Sequence, residues 1–375
     1  MSILTSPLPL GKILRSFPIE TYVVFMVGVI VFVTIHIIDF LTHRWNISID
    51  PRSVLMGPIA GGSIFRYGIF SILIYTEYLL VRFVLRHARK PDGSIEIIQA
   101  LRSPQLSIFL RSALFWLCIM VGFAGGYAAA LSALFRNFSK EAMISASDLL
   151  LGFDKAIFGV HPPFFLHTLG IPSMMQTVIA DSYVYLAHVL GLCFAYSFFT
   201  RRQLLREFFL ALVISTYIAF PFWILFPAIA PLEMYRGNIF SRTLSPEIIE
   251  ENARLAFSPF ALHRIDQVDH MWLDIKQQSF SVSSFPSMHV TWATIILYVA
   301  YAIRRWLGAI LSIFYLTNFV ATLFLLEHYA VDSLLGIIVG TLAIVLAKYV
   351  LRLETHYFRD RYELLSVIGA RGREM

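Results

Sequence analysis

Two histidines and one aspartate carry the chemistry that this chain can be read for. His289 closes the run Ser284-Phe285-Pro286-Ser287-Met288-His289, and His328 opens the run His328-Tyr329-Ala330-Val331-Asp332. His328 and Asp332 are four residues apart, which on a helix puts both side chains on one face. A carboxylate one turn away accepts a proton from one imidazole nitrogen, fixes the tautomer and frees the other nitrogen as nucleophile or base. His289 stands where a helix begins: Pro286 suits a first turn, and Ser283 or Ser284 can cap it. Free backbone N–H groups at a helix start hold anions, and Ser287 can add a hydroxyl donor. The pattern predicts a phosphate held at a helix start, attacked by one histidine and protonated by the other. Imidazole attack on phosphorus gives a phosphohistidine and divides one hard displacement into two easier ones. A lone histidine at a span end is more often an interfacial anchor, and a His-x-x-x-Asp pair alone can be a satisfied interhelical contact. Both motifs at the mouths of spans on one side of a membrane outweigh either motif alone.

The elements that position these groups are membrane helices. The chain has 375 residues, 58% hydrophobic and 14% charged, with a mean hydropathy of +0.71; a soluble domain carries about 25% charged residues. Eight stretches approach the roughly 20 apolar residues that a spanning helix needs: about 21–41, 67–85, 112–134, 175–199, 207–228, 286–303, 307–327 and 330–350. The expected fold class is therefore all-α integral membrane, with about eight transmembrane helices. Residues 135–174 are too polar and broken to cross and read as short interfacial helices. The longest extramembrane stretch is 229–285. Expected units are two N-terminal spans with flanking loops over 1–105, a six-helix core over 106–352 and a charged tail over 353–375.

The net charge of +6 sits at span ends, so it argues against a nucleic-acid partner. Most Lys and Arg fall on the side holding both termini and the turns at Arg201-Arg202 and Arg304-Arg305. By the positive-inside rule that side is cytoplasmic. His289, His328 and Asp332 then face the periplasm of a bacterial inner membrane, or a lumen in a eukaryote. Cys118 and Cys193 both fall in spans, so no disulfide framework is expected. No cleavable signal is evident: the first apolar stretch is long enough to span and no small-residue cleavage site follows it.

Phe285-Pro286-Ser287-Met288-His289 and His328-Tyr329-Ala330-Val331-Asp332, followed by Gly336, resemble the second and third signature motifs of the type 2 phosphatidic acid phosphatase superfamily. Within it they look like the branch that includes inositol phosphorylceramide synthase and its bacterial relatives. Asp148-Leu149-Leu150-Leu151-Gly152 and Phe226-Pro227-Ala228-Ile229-Ala230-Pro231 resemble that branch too. The resemblance covers about residues 110–350. It implies His328 as nucleophile, Asp332 as its orienter and His289 as the acid that protonates the leaving group. The chain departs from the broad superfamily at Thr322, where an arginine is usual, and near Pro231, where no basic residue occurs before Arg236. The first departure is shared with the synthase branch. Arg236 is the expected source of positive charge for the phosphate, against a reading as a solvated loop residue.

Asp181, inside the fourth span, is expected either to bind an acceptor hydroxyl or to pair with His188 or a tyrosine. Glu77 reads as a packing contact, and Asp148 as a helix cap. Arg254, His263, Arg264, His270 and Lys276 form a basic stretch suited to an anionic head group, or to ordinary loop charge. Neither His289 nor His328 has a second ligand at metal spacing beyond Asp332, so no metal is expected, and the chemistry asks for no cofactor. The expected function is a lipid head-group phosphotransferase like inositol phosphorylceramide synthase. Its partners are a phosphorylated lipid donor and an alcohol acceptor. With water as acceptor the same residues make a lipid phosphatase. The competing class is a transporter or lipid-handling protein, whose inverted repeats are not found here.

Overall fold

The computed structural model describes residues 138–237, 240–263 and 285–357, together with positions 77, 81 and 114. The first expected span, all of the second and third but those three positions, the tail beyond 357 and Arg264, His270 and Lys276 lie outside the described residues. The rest is helical: α1 Lys140–Phe158, α2 Pro162–Phe165, a 3-10 turn Leu166–Leu169, α3 Ser173–Val184, α4 Leu186–Thr200, α5 Arg202–Leu225, a π-turn Leu232–Arg236, α6 Pro246–Ala253, α7 Met288–Ile303, α8 Arg305–Phe324 and α9 Ala330–Tyr357. No strand occurs among the described residues.

Three of these helices, α5, α8 and α9, are long and apolar enough to cross a membrane; α3 and α4 together make a fourth if counted as one bent span. The chain is an integral membrane protein. The expected fourth span is thus not one straight helix. It bends by 45° at Tyr185, although no proline or glycine stands there. The sixth expected span, α7, has only 16 residues.

Residues 138–174, expected to be short helices, contain α1, α2, the 3-10 turn and the start of α3. Ser139 caps α1 by accepting the Ala142 N–H at 3.1 Å, and Gly159 ends it in the left-handed region at φ 74. One face buries Met143, Ser147, Leu150, Leu151 and Asp154; Phe153 and Ile157 remain exposed on another. Asp148 lies in the middle of this helix and is not the cap expected of it.

Two apolar clusters organise the molecule. Leu190, Phe194, Phe208, Phe209, Leu212, Ile295, Val299 and Ala347 join α4, α5, α7 and α9 in the bundle. Met143, Leu150, Phe164, Ile179, Tyr183, Ile229, Tyr235, Phe324 and Tyr329 form a second cluster joining α1, α2, α3 and the loops after α5 and α8. At the opposite end of the bundle from His289, the Arg201 guanidinium donates to the Ala302 carbonyl at 2.7 Å, and Arg206 pairs with Glu354 between α5 and α9. Each charge of that buried pair depends on the other for its loss of hydration.

α7 and α9 approach closely along a seam of two glycines. A Cβ added at Gly336 would lie 2.6 Å from the Ser287 carbonyl oxygen, and one at Gly340 would lie 2.8 Å from that of Thr291. This small-xxx-small pairing lets two backbones touch. The Thr291 hydroxyl bridges the seam, 2.8 Å from Ser287 O and 3.0 Å from Gly336 O.

Candidate active site

α8 must end abruptly to deliver His328. Leu326 adopts the left-handed conformation, φ 58, which costs a leucine but closes the helix as a glycine would. The N–H groups of Glu327 and His328 then both donate to the Thr322 carbonyl, at 3.1 and 3.0 Å. The Thr322 hydroxyl donates to Phe319 O at 2.7 Å and lies 3.2 Å from Ser333 Oγ. Thr322, at the position where the superfamily's arginine was expected, therefore braces the turn and supplies no charge.

His328 Nδ1 lies 3.3 Å from Asp332 Oδ2. The same oxygen accepts the Tyr329 N–H at 3.1 Å, and Ser333 Oγ donates to Oδ1 at 3.3 Å. Asp332 is fully buried and His328 nearly so. The carboxylate favours the tautomer with a proton on Nδ1 and leaves Nε2 with a lone pair.

His289 sits in the first turn of α7, half-buried. Its ring centroid is 5.7 Å from that of His328, with the planes tilted by 60°. Tyr183 of α3 covers the His289 ring, 4.1 Å away and nearly parallel at 16°, with its hydroxyl 3.4 Å from Nδ1.

Ser287, rather than Ser283 or Ser284, is the cap of α7: its Oγ accepts the Val290 N–H at 3.3 Å, while its own N–H donates to Asp332 O at 3.1 Å. It is fully buried. This spends a lone pair of the hydroxyl expected to face the substrate and leaves its proton uncommitted by that bond. Arg236 is exposed, 4.8 Å over the Phe257 ring. Phe257 packs on Phe324, four residues before His328. Arg236 is thus connected to the site through two aromatic rings. Asp181 lies two residues before Tyr183 on α3, with one carboxylate oxygen buried. The structure therefore brings His289, His328, Asp332 and Ser287 together, while Arg236 stands two aromatic rings away from His328.

The loop after α5 lies against the turn bearing His328. Leu232 N–H donates to Leu326 O at 2.7 Å, and the Tyr329 hydroxyl donates to Ile229 O at 2.9 Å. Ile229 N–H reaches Ser147 Oγ of α1 at 2.9 Å. Arg242, which the sequence did not single out, clamps Asp148 through two nitrogens at 2.6 and 2.9 Å. Burial pulls the Arg242 pKa down, but the hydrogen bonds and charge of Asp148 outweigh it and hold the pKa above its ordinary value.

Asp154 is the most consequential residue that the sequence did not flag. Its carboxylate is fully buried and accepts the N–H groups of Ala330 and Val331 at 2.9 and 2.8 Å, capping α9 from α1. One signal was available: Asp154 falls on the same α1 face as Ser147, Leu150 and Leu151, and a carboxylate on a buried stripe needs a partner. Burial pushes its pKa from 3.8 up to about 6; the two backbone N–H groups pull it down, and nearby Asp332 adds to the rise. Folded Asp154 thus holds its proton more tightly than the unfolded chain does, so its contribution to stability falls as pH rises from 3.8 towards about 6. Asp154→Asn has no such titration. The unfolding midpoint of the variant relative to the wild type should rise across that window and stay level above it, as thermal scans in detergent would record.

One group of side chains can be weighed as a metal site. His161, Glu247 and Glu251 bring ligand atoms within 4.8 Å of one another. The Lys155 ammonium, however, lies 2.6 Å from both oxygens of Glu247, and His161 Nδ1 lies 2.8 Å from Glu251. An ion would have to displace that ammonium, so the cluster is already internally paired.

The PAP2 superfamily model matches residues 148–346, more than half of the chain, and spans both histidine motifs. The chain belongs to the PAP2 superfamily. Members are phosphatases or phosphotransferases acting on phosphate esters, and the chain is an enzyme of that general type in a membrane. No curated protein matches the chain, and no solved structure matches it. Within this PAP2 enzyme the matched segment begins at Asp148. It therefore includes the α1 carboxylate at Asp154 as well as the two histidines.

Proposed function

We propose that this PAP2 enzyme transfers a phosphate-bearing group between lipid alcohols through a phosphohistidine, in the manner of inositol phosphorylceramide synthase. The observation that supports this best is the meeting of His289 and His328, with Asp332 on the far nitrogen of His328. His328 Nε2 attacks the phosphorus of a lipid phosphate ester, the bond to the leaving oxygen breaks, and His289 gives that oxygen its proton. Neutral His289 then takes the proton of an incoming hydroxyl. The hydroxyl oxygen attacks phosphorus, the P–N bond breaks, and His328 is restored.

Support for an alcohol acceptor comes from Thr322, which replaces the usual arginine here as in the synthase branch. The start of α7 is the natural seat for the phosphate: Ser287 takes the Val290 N–H, and the first-turn N–H groups of Met288 and His289 precede it. The basic turns at Arg201 and Arg304-Arg305 are exposed at the other end of the bundle, which favours a non-cytoplasmic site.

The test is a transfer-versus-release assay on the full chain in nanodiscs, with His328→Ala as control. Phosphate-bearing lipids and candidate alcohols are offered together and products are followed by mass spectrometry. A new phosphodiester, absent in the control, and a phosphorylated peptide containing His328 are expected. Free phosphate as the sole product would replace transfer by hydrolysis. Equal products from the control would remove His328 from the reaction.

A further inference from the structure

We propose that Asp154 is a positioning residue for the nucleophile, holding the turn from His328 to Asp332 in register by capping α9 from a separate helix. The proposal rests on the reading of His328 as nucleophile. Three consecutive backbone donors open this segment. Tyr329 N–H is taken by Asp332, and Ala330 and Val331 N–H are taken by Asp154 at 2.9 and 2.8 Å. The orienting carboxylate thus uses one oxygen both for its own helix start and for His328. If the next two donors lost their partner, they would compete for that oxygen, because buried N–H groups left unpaired cost free energy. Asp332 would then be drawn towards the backbone and away from Nδ1.

Asp154 is placed to prevent this competition. It comes from α1, which is anchored independently by Ser147 to the Ile229 loop and by Asp148 to Arg242. Its charge also complements the positive end of the α9 dipole. Asparagine is the decisive replacement. Its single carbonyl can accept from one of the two donors, while its NH₂ group opposes the other. Shape is kept, and one bond and the charge are lost.

The experiment uses full-length wild type, Asp154→Asn and Asp154→Ala in nanodiscs, with Asp332→Asn as a positive control. Imidazole nitrogens are labelled with ¹⁵N, and the His328 signal is assigned by its loss in His328→Gln. Wild type should show one His328 tautomer, with the proton on Nδ1, and Asp154→Asn a mixture of two. Turnover of a lipid phosphate ester should fall by about 10²-fold in kcat, the scale of a misplaced reacting group. KM should stay within about threefold, because the substrate does not touch Asp154.

If both Asp154 variants fold and keep the single tautomer and wild-type kcat, the proposal is overturned. It is equally overturned if neither variant folds, since Asp154 would then serve folding alone. If Asp154→Ala fails to fold, Asp154→Asn decides. Should wild type turn over no phosphate ester, the tautomer signal still decides for Asp154. A single tautomer in wild type and a mixture in Asp154→Asn would then support positioning while counting against the phosphotransferase reading.

Discussion

On the proposed mechanism His328→Ala should lose at least about 10⁴-fold in turnover whatever the leaving group, because it removes the nucleophile of the first displacement. His289→Ala should behave differently. Loss of general acid help costs about 10²–10⁴-fold when the departing group is an alkoxide. An aryl phosphate departs as a phenolate and needs little protonation, so it should recover most of that loss in His289→Ala and none in His328→Ala. The ring centroids stand 5.7 Å apart, close enough for both imidazoles to reach one phosphorus and its leaving oxygen. Initial rates on paired alkyl and aryl esters make the comparison. Equal impairment of His289→Ala on both esters would deny it the acid role, and aryl recovery in His328→Ala would deny that residue the nucleophilic one.

The second large effect is expected from one methyl group at the helix seam. In Gly336→Ala the new Cβ would meet the Ser287 carbonyl oxygen at 2.6 Å and the Val290 Cβ at 3.2 Å. The closest neighbour is backbone and cannot rotate aside, so α7 and α9 must part. Overpacking of this kind costs about 1–3 kcal/mol, and a displacement near 1 Å costs about 10²-fold in rate. Ser287 N–H also bonds Asp332 O across this seam, so the parting acts directly between the two motifs. Gly308→Ala is the contrast. There the nearest neighbours of the Cβ would be ring atoms of Tyr301, the closest at 2.3 Å, so the ring must turn and give up the 3.0 Å hydrogen bond between its hydroxyl and Ser312 Oγ, but this happens at the far end of α7 from the two motifs. Measured in detergent, Gly336→Ala should lose both turnover and unfolding midpoint, whereas Gly308→Ala should lower the midpoint and leave turnover near normal.

The sequence revealed what is written locally. Hydropathy located α5, α8 and the start of α9, which runs on to Tyr357 past the expected end at 350, and the spacing of His328 and Asp332 predicted a pairing that the structure contains at 3.3 Å. Contacts closed over long separations were not legible. Asp154 meets Ala330 across 176 residues, and Tyr183 meets His289 across 106; neither has a local pattern. The bend at Tyr185 escaped because apolar residues run through it without a helix breaker. Nor could distance along the chain show which arginine the Asp148 carboxylate finds. Arg242 reaches it across 94 residues. The cap of α7 lies three or four residues beyond the expected serines, because Ser283, Ser284 and Ser287 are equivalent as cappers.

The Gly336 and Gly340 seam also governs where traffic can pass. A single added carbon would collide with the backbone of α7 at either glycine. A hydrocarbon tail, wider than a methyl group, therefore finds no doorway between α7 and α9. A lipid whose phosphate reaches His328 must leave its tails in the bilayer on another side of the bundle, and its head must turn the corner around these two helices rather than slide between them.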